Sequence, residues 1–200
     1  MKKENINSET KIFSDRIQLI KYLGDIEHIC EIGVGLGDFS KILIDSCRAK
    51  IFYGVDLFEL HNIPVLWGKD TNKLFNNEDH FSYYKKMLKK YENNTKCEII
   101  KKDSKKLIVE DFQNQKFGLV YIDGDHTYDY VINDLEIAKN IIEDNGVIIL
   151  NDYTKYDPFF KTEYGVVDAV NVFINENPEY KITYLALDDN MFCDVALKKM

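Results

Sequence analysis

The residue types best suited to chemistry are acids and glycines that close short apolar runs. The run His28-Ile29-Cys30-Glu31-Ile32 leads into Gly33-Val34-Gly35-Leu36-Gly37-Asp38, so three glycines are spaced two apart. Without a Cβ, Gly33 and Gly35 let the backbone come close to a bound molecule. The spacing excludes two phosphate loops. A GxGxxG dinucleotide turn would put its third glycine where Asp38 stands, and a carboxylate at that helix mouth repels a pyrophosphate. No Gly-Lys-Ser/Thr follows, so the turn is not a P-loop either. Glu31, projecting from the strand end, suits a cationic group. Asp56, at the end of Tyr53-Gly54-Val55-Asp56, can accept both hydroxyls of a ribose. Read together, an ammonium on Glu31 and a ribose diol on Asp56 describe S-adenosylmethionine better than a phosphorylated nucleotide.

A second constellation lies further on, in Val120-Tyr121-Ile122-Asp123-Gly124-Asp125-His126 and Ile149-Leu150-Asn151-Asp152-Tyr153. In an open parallel sheet both strand ends face the crevice that also holds the glycine turn. Asp123, Asp152 and Asn151 offer hard oxygen ligands for Mg²⁺ or a similar ion. Such an ion would acidify a bound substrate hydroxyl and hold it in line for attack. His126 is placed to take the proton, since an unperturbed imidazole titrates at about 6.5. Blander readings stand beside these. Asp125 or Asp129 suits the N-cap of the following helix, Asn151-Asp152 suits a strand-terminating turn, and a single histidine at a strand end is as often structural.

Glu31-Ile-Gly-Val-Gly-Leu-Gly37 resembles the E/D-x-G-x-G-x-G motif of class I S-adenosylmethionine-dependent methyltransferases. Tyr121-Ile-Asp-Gly-Asp-His-Thr-Tyr128 and Gly146-Val-Ile-Ile-Leu-Asn-Asp-Tyr153 are similar to a narrower group, the macrocin O-methyltransferase-like and cephalosporin hydroxylase-like enzymes. Asp56-Leu-Phe-Glu59 looks like their D-x-F-E. The resemblance spans roughly Cys30 to Tyr153. It implies cofactor contacts from Glu31, Gly33, Gly35, Asp56, Leu57 and Asp123, with the adenine at Asp103 and Ser104. Asp123 and Asp152 match that group's metal ligands and His126 its histidine, while Asn151 stands where an acid is common. The implied activity is metal-assisted O-methylation of a hydroxyl on a small molecule or sugar-containing metabolite. Two alternatives are a metal-independent N- or O-methyltransferase, with Asn151 and Asp152 touching the substrate directly, and a non-catalytic cofactor-binding protein. An NAD-dependent oxidoreductase is disfavoured by the missing third glycine.

Positioning these residues requires strands and helices in alternation. Apolar runs bounded by Gly, Asp or Asn mark strands at Ile26 to Ile32, Lys50 to Val55, Cys97 to Lys101, Gly118 to Ile122 and Gly146 to Leu150, with Tyr180 to Ala186 and Met191 to Leu197 as a hairpin. Helical spacing marks Asp38 to Asp45, Asp79 to Tyr91, a short piece near Lys105 to Phe112, Asp129 to Glu143 and Gly165 to Asn175. The expected fold is one α/β domain over residues 1–200. It is a doubly wound, mostly parallel seven-stranded sheet with a C-terminal β-hairpin, the Rossmann-like fold that the resemblance implies. The one long connection, Leu57 to Glu78, reads as an unpatterned lid or substrate loop carrying His61, Pro64 and Trp67, or as a surface loop packed by its own aromatics. Tyr153 to Tyr164, with Pro158, shapes the acceptor pocket or simply connects to the last helix. His80 and the run Phe81 to Leu88 read as ordinary helix.

Composition bounds the partners. At 200 residues with 45% hydrophobic and 30% charged residues the chain is globular. A formal charge of -8 argues against nucleic acid. The one basic stretch, Lys101, Lys102, Lys105 and Lys106, is interrupted by Asp103 and reads as a solvated face. Cys30, Cys47, Cys97 and Cys193 form no CxxC pair, as expected of thiols in a reducing cytoplasm. The polar start MKKENINSETKIF has no signal-peptide core, and no window approaches a membrane span. A small-molecule or sugar acceptor is the expected partner, with no nucleic acid and no membrane; a homo-oligomer is left open.

Overall fold

The computed structural model describes residues 3–187 and 193–200. The chain opens with β1 (Ile6–Phe13) and α1 (Arg16–Leu23). It then alternates β2 (His28–Ile32), α2 (Asp38–Cys47) and β3 (Ile51–Asp56). A small hairpin of β4 (Val65–Leu66) and β5 (Lys69–Asp70) precedes α3 (Thr71–Leu74), α4 (His80–Leu88) and β6 (Lys96–Lys101). There follow β7 (Phe117–Ile122), α5 (Tyr128–Ile141), β8 (Ile142–Leu150), a second small hairpin of β9 (Tyr156–Asp157) and β10 (Thr162–Glu163), then α6 (Val166–Glu176), β11 (Tyr180–Leu187) and β12 (Cys193–Lys199). Met191 and Phe192, expected at the start of the last strand, lie outside the described residues.

The central sheet runs β1-β11-β12-β8-β7-β2-β3-β6. Every neighbouring pair is parallel except the two that involve β12. β2 lies between β3 and β7, with Glu31 opposite Gly54 on one side and Tyr121 on the other. Chain crossovers therefore leave β2 in opposite directions, which opens a crevice at the carboxyl ends of β2 and β7. Side chains alternate across the sheet into two cores. Cys30, Ile32, Val120 and Ile122 pack with α5 and α6; Ile29, Phe52 and Tyr121 pack with α1, α2 and α4.

The sheet has eight strands, not the seven expected, because the N-terminal segment adds β1 parallel to β11. As an edge strand β1 has no deeply buried face, so its sequence carries no apolar alternation. α1 was likewise hidden, since only Leu19 and Ile20 of it are buried; Asp15 caps it by accepting from the Gln18 amide. The Leu57 to Glu78 connection is not unpatterned: it holds a short 3-10 turn (Leu60–Asn62), the β4–β5 hairpin and α3. Near Lys105 to Phe112 the helical piece resolves into two 3-10 turns, Ser104–Lys106 and Val109–Phe112. No described helix is long and apolar enough to cross a membrane.

Candidate functional site

At the crevice lies a cavity of about 620 Å³, within the range of about 300–1,000 Å³ usual for small-molecule sites. The glycine turn forms one wall. Gly33 donates its amide to Val55 and packs against the main chain of Asp123. Gly35 has only the edge of Trp67 near its missing side chain and opens into the cavity. Two groups hold the turn. Asp56 accepts from the amides of Val34 at 3.0 Å, Gly35 at 3.4 Å and Phe58 at 2.7 Å. A carboxylate has about four acceptor positions, so Asp56 retains about one for a ribose hydroxyl rather than the pair expected. His80 Nε2 lies 2.6 Å from the Gly35 carbonyl oxygen. Wholly buried between Phe58 and Phe75, this ring has a pKa lowered by burial, and a neutral imidazole facing a carbonyl must carry its proton on Nε2.

Glu31 is not brought into the cavity. It is 1% exposed, on the opposite sheet face from Ile32, whose side chain does line the cavity. Ser40 Oγ donates to its carboxyl and lies 3.0 Å from the Tyr84 hydroxyl. Burial pushes the Glu31 carboxyl well above its usual range, and the charges of Asp123 and Asp56 add to that. The expected anionic grip on an ammonium is therefore replaced by a buried anchor beneath the turn.

The acidic strand ends do converge. His126 Nε2 stands 3.6 Å from Asp123 Oδ1, and its Nδ1 stands 3.8 Å from Asp152 Oδ2. Burial works against charge on His126, yet Asp123, Asp152 and Asp125 outweigh it and raise the pKa. Burial pushes Asp152 up to about 6 against the pull of His126. The Tyr164 ring packs 4.6 Å from the imidazole. Asn151 donates its amide at 3.0 Å to Asp194, which also accepts from the Tyr121 hydroxyl at 2.7 Å. The expected Mg²⁺ donors do not fit this arrangement: the imidazole stands between the two carboxylates meant to share the ion. Among the described residues no three His, Cys, Asp or Glu side chains form a group able to hold a metal ion.

At the other end Leu57, Lys102, Ser104 and Tyr130 line the cavity. Asp103 does not; it caps the 3-10 turn, accepting from the Lys105 amide. The N-cap of α5 is Thr127, neither Asp125 nor Asp129; Asp125 accepts from the Thr127 amide. Both small hairpins overhang the cavity, one through Trp67 and the other through Asp157 and Phe160, so the Tyr153 to Tyr164 segment does shape it. Five lining carboxylates, Asp56, Asp123, Asp125, Asp152 and Asp157, outnumber the lining cations Arg16 and Lys102. Arg16 and the turn-holding His80 were not legible in sequence, one opening the short helix α1 with little buried surface and the other on an ordinary amphipathic helix.

Residues 30–153 match a family described as a methyltransferase domain. No curated protein matches the sequence. Solved structures share the fold at low identity. A putative caffeoyl-CoA O-methyltransferase from Staphylococcus aureus is 17% identical with a TM-score of 0.61, over 91% of this chain and 82% of that one. A putative rRNA-methylase from Clostridium thermocellum is 13% identical with a TM-score of 0.63, over 92% and 93%. The SAH-bound Podospora anserina methyltransferase is 12% identical with a TM-score of 0.60, over 92% and 76%.

Proposed function

Since the chain belongs to the methyltransferase-domain family, we propose that it is an S-adenosylmethionine-dependent O-methyltransferase acting on a hydroxyl of a small molecule or sugar-containing metabolite. The observation that carries this reading is the single cavity into which the glycine turn, Asp56, Asp123, His126 and Asp152 all open. The cavity's residues fit the cofactor: Gly35 leaves room at the turn, Asp56 retains an acceptor for the ribose, and Leu57 and Ser104 border the nucleoside end. Its excess of carboxylates favours a cationic donor over an anionic one. When bound, the cofactor supplies a methyl group already activated on a sulfonium.

The protein's task is then to orient the acceptor and remove its proton. With the resident proton of His126 on Nε2, toward Asp123, Nδ1 is the base that takes the hydroxyl proton. Asp123 and Asp152 stabilise the resulting imidazolium. Tyr164 fixes the ring plane by packing. The two hairpins narrow access for water at the mouth. Because the donors for a metal are not assembled, no step passes through one. The four cysteines are free thiols, which suits work in the cytoplasm.

The test is incubation with methyl-labelled cofactor and a panel of hydroxylated acceptors, read by mass spectrometry, with EDTA and then Mg²⁺ added. Label transfer that is indifferent to both additions is the expected result. Binding of cofactor with no transfer to any acceptor would favour a non-catalytic role, and rescue by Mg²⁺ would restore the metal to the mechanism.

A further inference from the structure

The two cations lining the cavity are not equivalent. Lys102 is committed to Asp111, at 2.6 Å. Arg16 is paired only loosely. Its nearest carboxylate oxygen, Oδ2 of Asp123, is 3.9 Å away, beyond hydrogen-bond reach. Its Nη1 lies 3.4 Å from the Tyr121 hydroxyl, and its guanidinium carbon sits 4.5 Å from the centre of the Phe39 ring. Tyr121 is itself fixed by donating to buried Asp194. The fork is thus pinned on one edge and one face, and among the described residues no other hydrogen bond engages its remaining N–H groups. The cost of holding a long side chain still is met before any ligand arrives.

We propose that Arg16 and Asp123 form the clamp for the α-amino-acid head of the cofactor, Arg16 taking the carboxylate and Asp123 the ammonium. This rests on the cofactor assignment made above. The two opposite charges stand side by side on the cavity wall as a loose ion pair, 3.9 Å apart and without a hydrogen bond between them. Their separation is comparable to that between the ammonium and carboxylate carried by one α-carbon. A zwitterion lying alongside the pair sets its carboxylate against Arg16 and its ammonium against Asp123, and a guanidinium meets a carboxylate in a bidentate manner that a lysine cannot copy. The clamp also supplies the anion for the ammonium that Glu31, shut under the turn, does not present. Arg16 belongs to α1, so the N-terminal segment completes the site.

Calorimetric titration with S-adenosylhomocysteine and with 5′-methylthioadenosine, which lacks the amino-acid head, tests the clamp without turnover. Arg16→Ala should weaken S-adenosylhomocysteine by about 10- to 100-fold, the range for a lost charge-assisted contact, and leave methylthioadenosine within about twofold. Arg16→Lys should recover part of the loss. Should Arg16→Ala fail to fold, Arg16→Gln removes the charge while keeping a donor toward Tyr121, and the same comparison applies. Equal loss for both ligands would place Arg16 in the Tyr121–Asp194 framework alone and overturn the clamp, as would unchanged S-adenosylhomocysteine affinity. If the unaltered protein bound neither ligand, the cofactor assignment itself would fall.

Discussion

Gly33 and Asp123 touch through their backbones: a methyl group on Gly33 would sit 2.2 Å from the Asp123 carbonyl oxygen. The contact locks the glycine turn at the end of β2 to the residue that faces His126 at the end of β7. Gly35, two residues on, differs, since its nearest neighbour would be Trp67 at 3.9 Å. Both have positive φ, +87° and +51°, but only Gly33 is needed for packing.

The two alanine variants should therefore separate. Gly33→Ala must push two strand ends apart in addition to the left-handed penalty, for a loss of about 3 kcal/mol or more. Gly35→Ala should lose only about 1 kcal/mol, yet abolish measurable cofactor binding because its methyl group enters the cavity. Urea unfolding midpoints with parallel binding titrations check this; equal destabilisation of both would refute the distinction.

His126 is expected to matter in proportion to how hard the acceptor's proton is to remove. His126→Ala should lower kcat by about 10²- to 10⁴-fold on an aliphatic hydroxyl and much less on an acidic phenol that ionises unaided. Measuring kcat across acceptors of graded acidity decides it: a uniform loss would mean that the imidazole only holds Asp123 and Asp152 in place.

His80 holds the glycine turn through the Gly35 carbonyl. Its bond to the Gly35 carbonyl is buried, so His80→Ala orphans an acceptor at a cost of about 1 to 3 kcal/mol and frees the turn. Cofactor affinity should fall by about tenfold or more, with recovery in His80→Gln, whose amide can donate to the same carbonyl. An affinity untouched by His80→Ala would show that Asp56 alone holds the turn.

The strands beneath the site were legible because strands covered on both faces read as near-continuous apolar runs, as Phe117–Ile122 does and as His28–Ile32 does apart from His28 and Glu31. That same continuity concealed which way Glu31 points. Alternation is visible only when one face is polar, and here Ile32 faces the cavity while Glu31 faces Ser40. Asp103 and Asp125 were hard to tell apart for a different reason: an aspartate that caps a turn and one that lines a cavity look alike in sequence, so Asp103, read toward the adenine, caps a 3-10 turn, and Asp125, read as a helix cap, lines the cavity. Arg16 and His80 reach the site from distant elements, through contacts that no local pattern encodes.

Asp134 in α5 is fully buried, with no hydrogen-bond partner for either carboxylate oxygen among the described residues. Burial pushes its carboxyl up to about 7 against the pull of the nearby Ser104 and Asn133 side chains, with Asp125 and Asp103 adding to the rise. A carboxyl raised in the folded state contributes stability below its unfolded pKa, and that stability is lost as pH climbs through the folded value. Asp134→Asn, which cannot ionise, should be close to the unaltered protein near pH 4. It should gain on it steadily up to about pH 7, by on the order of 2 to 4 kcal/mol, and then level off. Guanidinium unfolding at a series of pH values gives the difference curve. A flat curve would mean that water or a rearranged Ser104 hydroxyl solvates the carboxylate, and that the packing beneath the nucleoside end of the cavity is looser than the buried Asp134 implies.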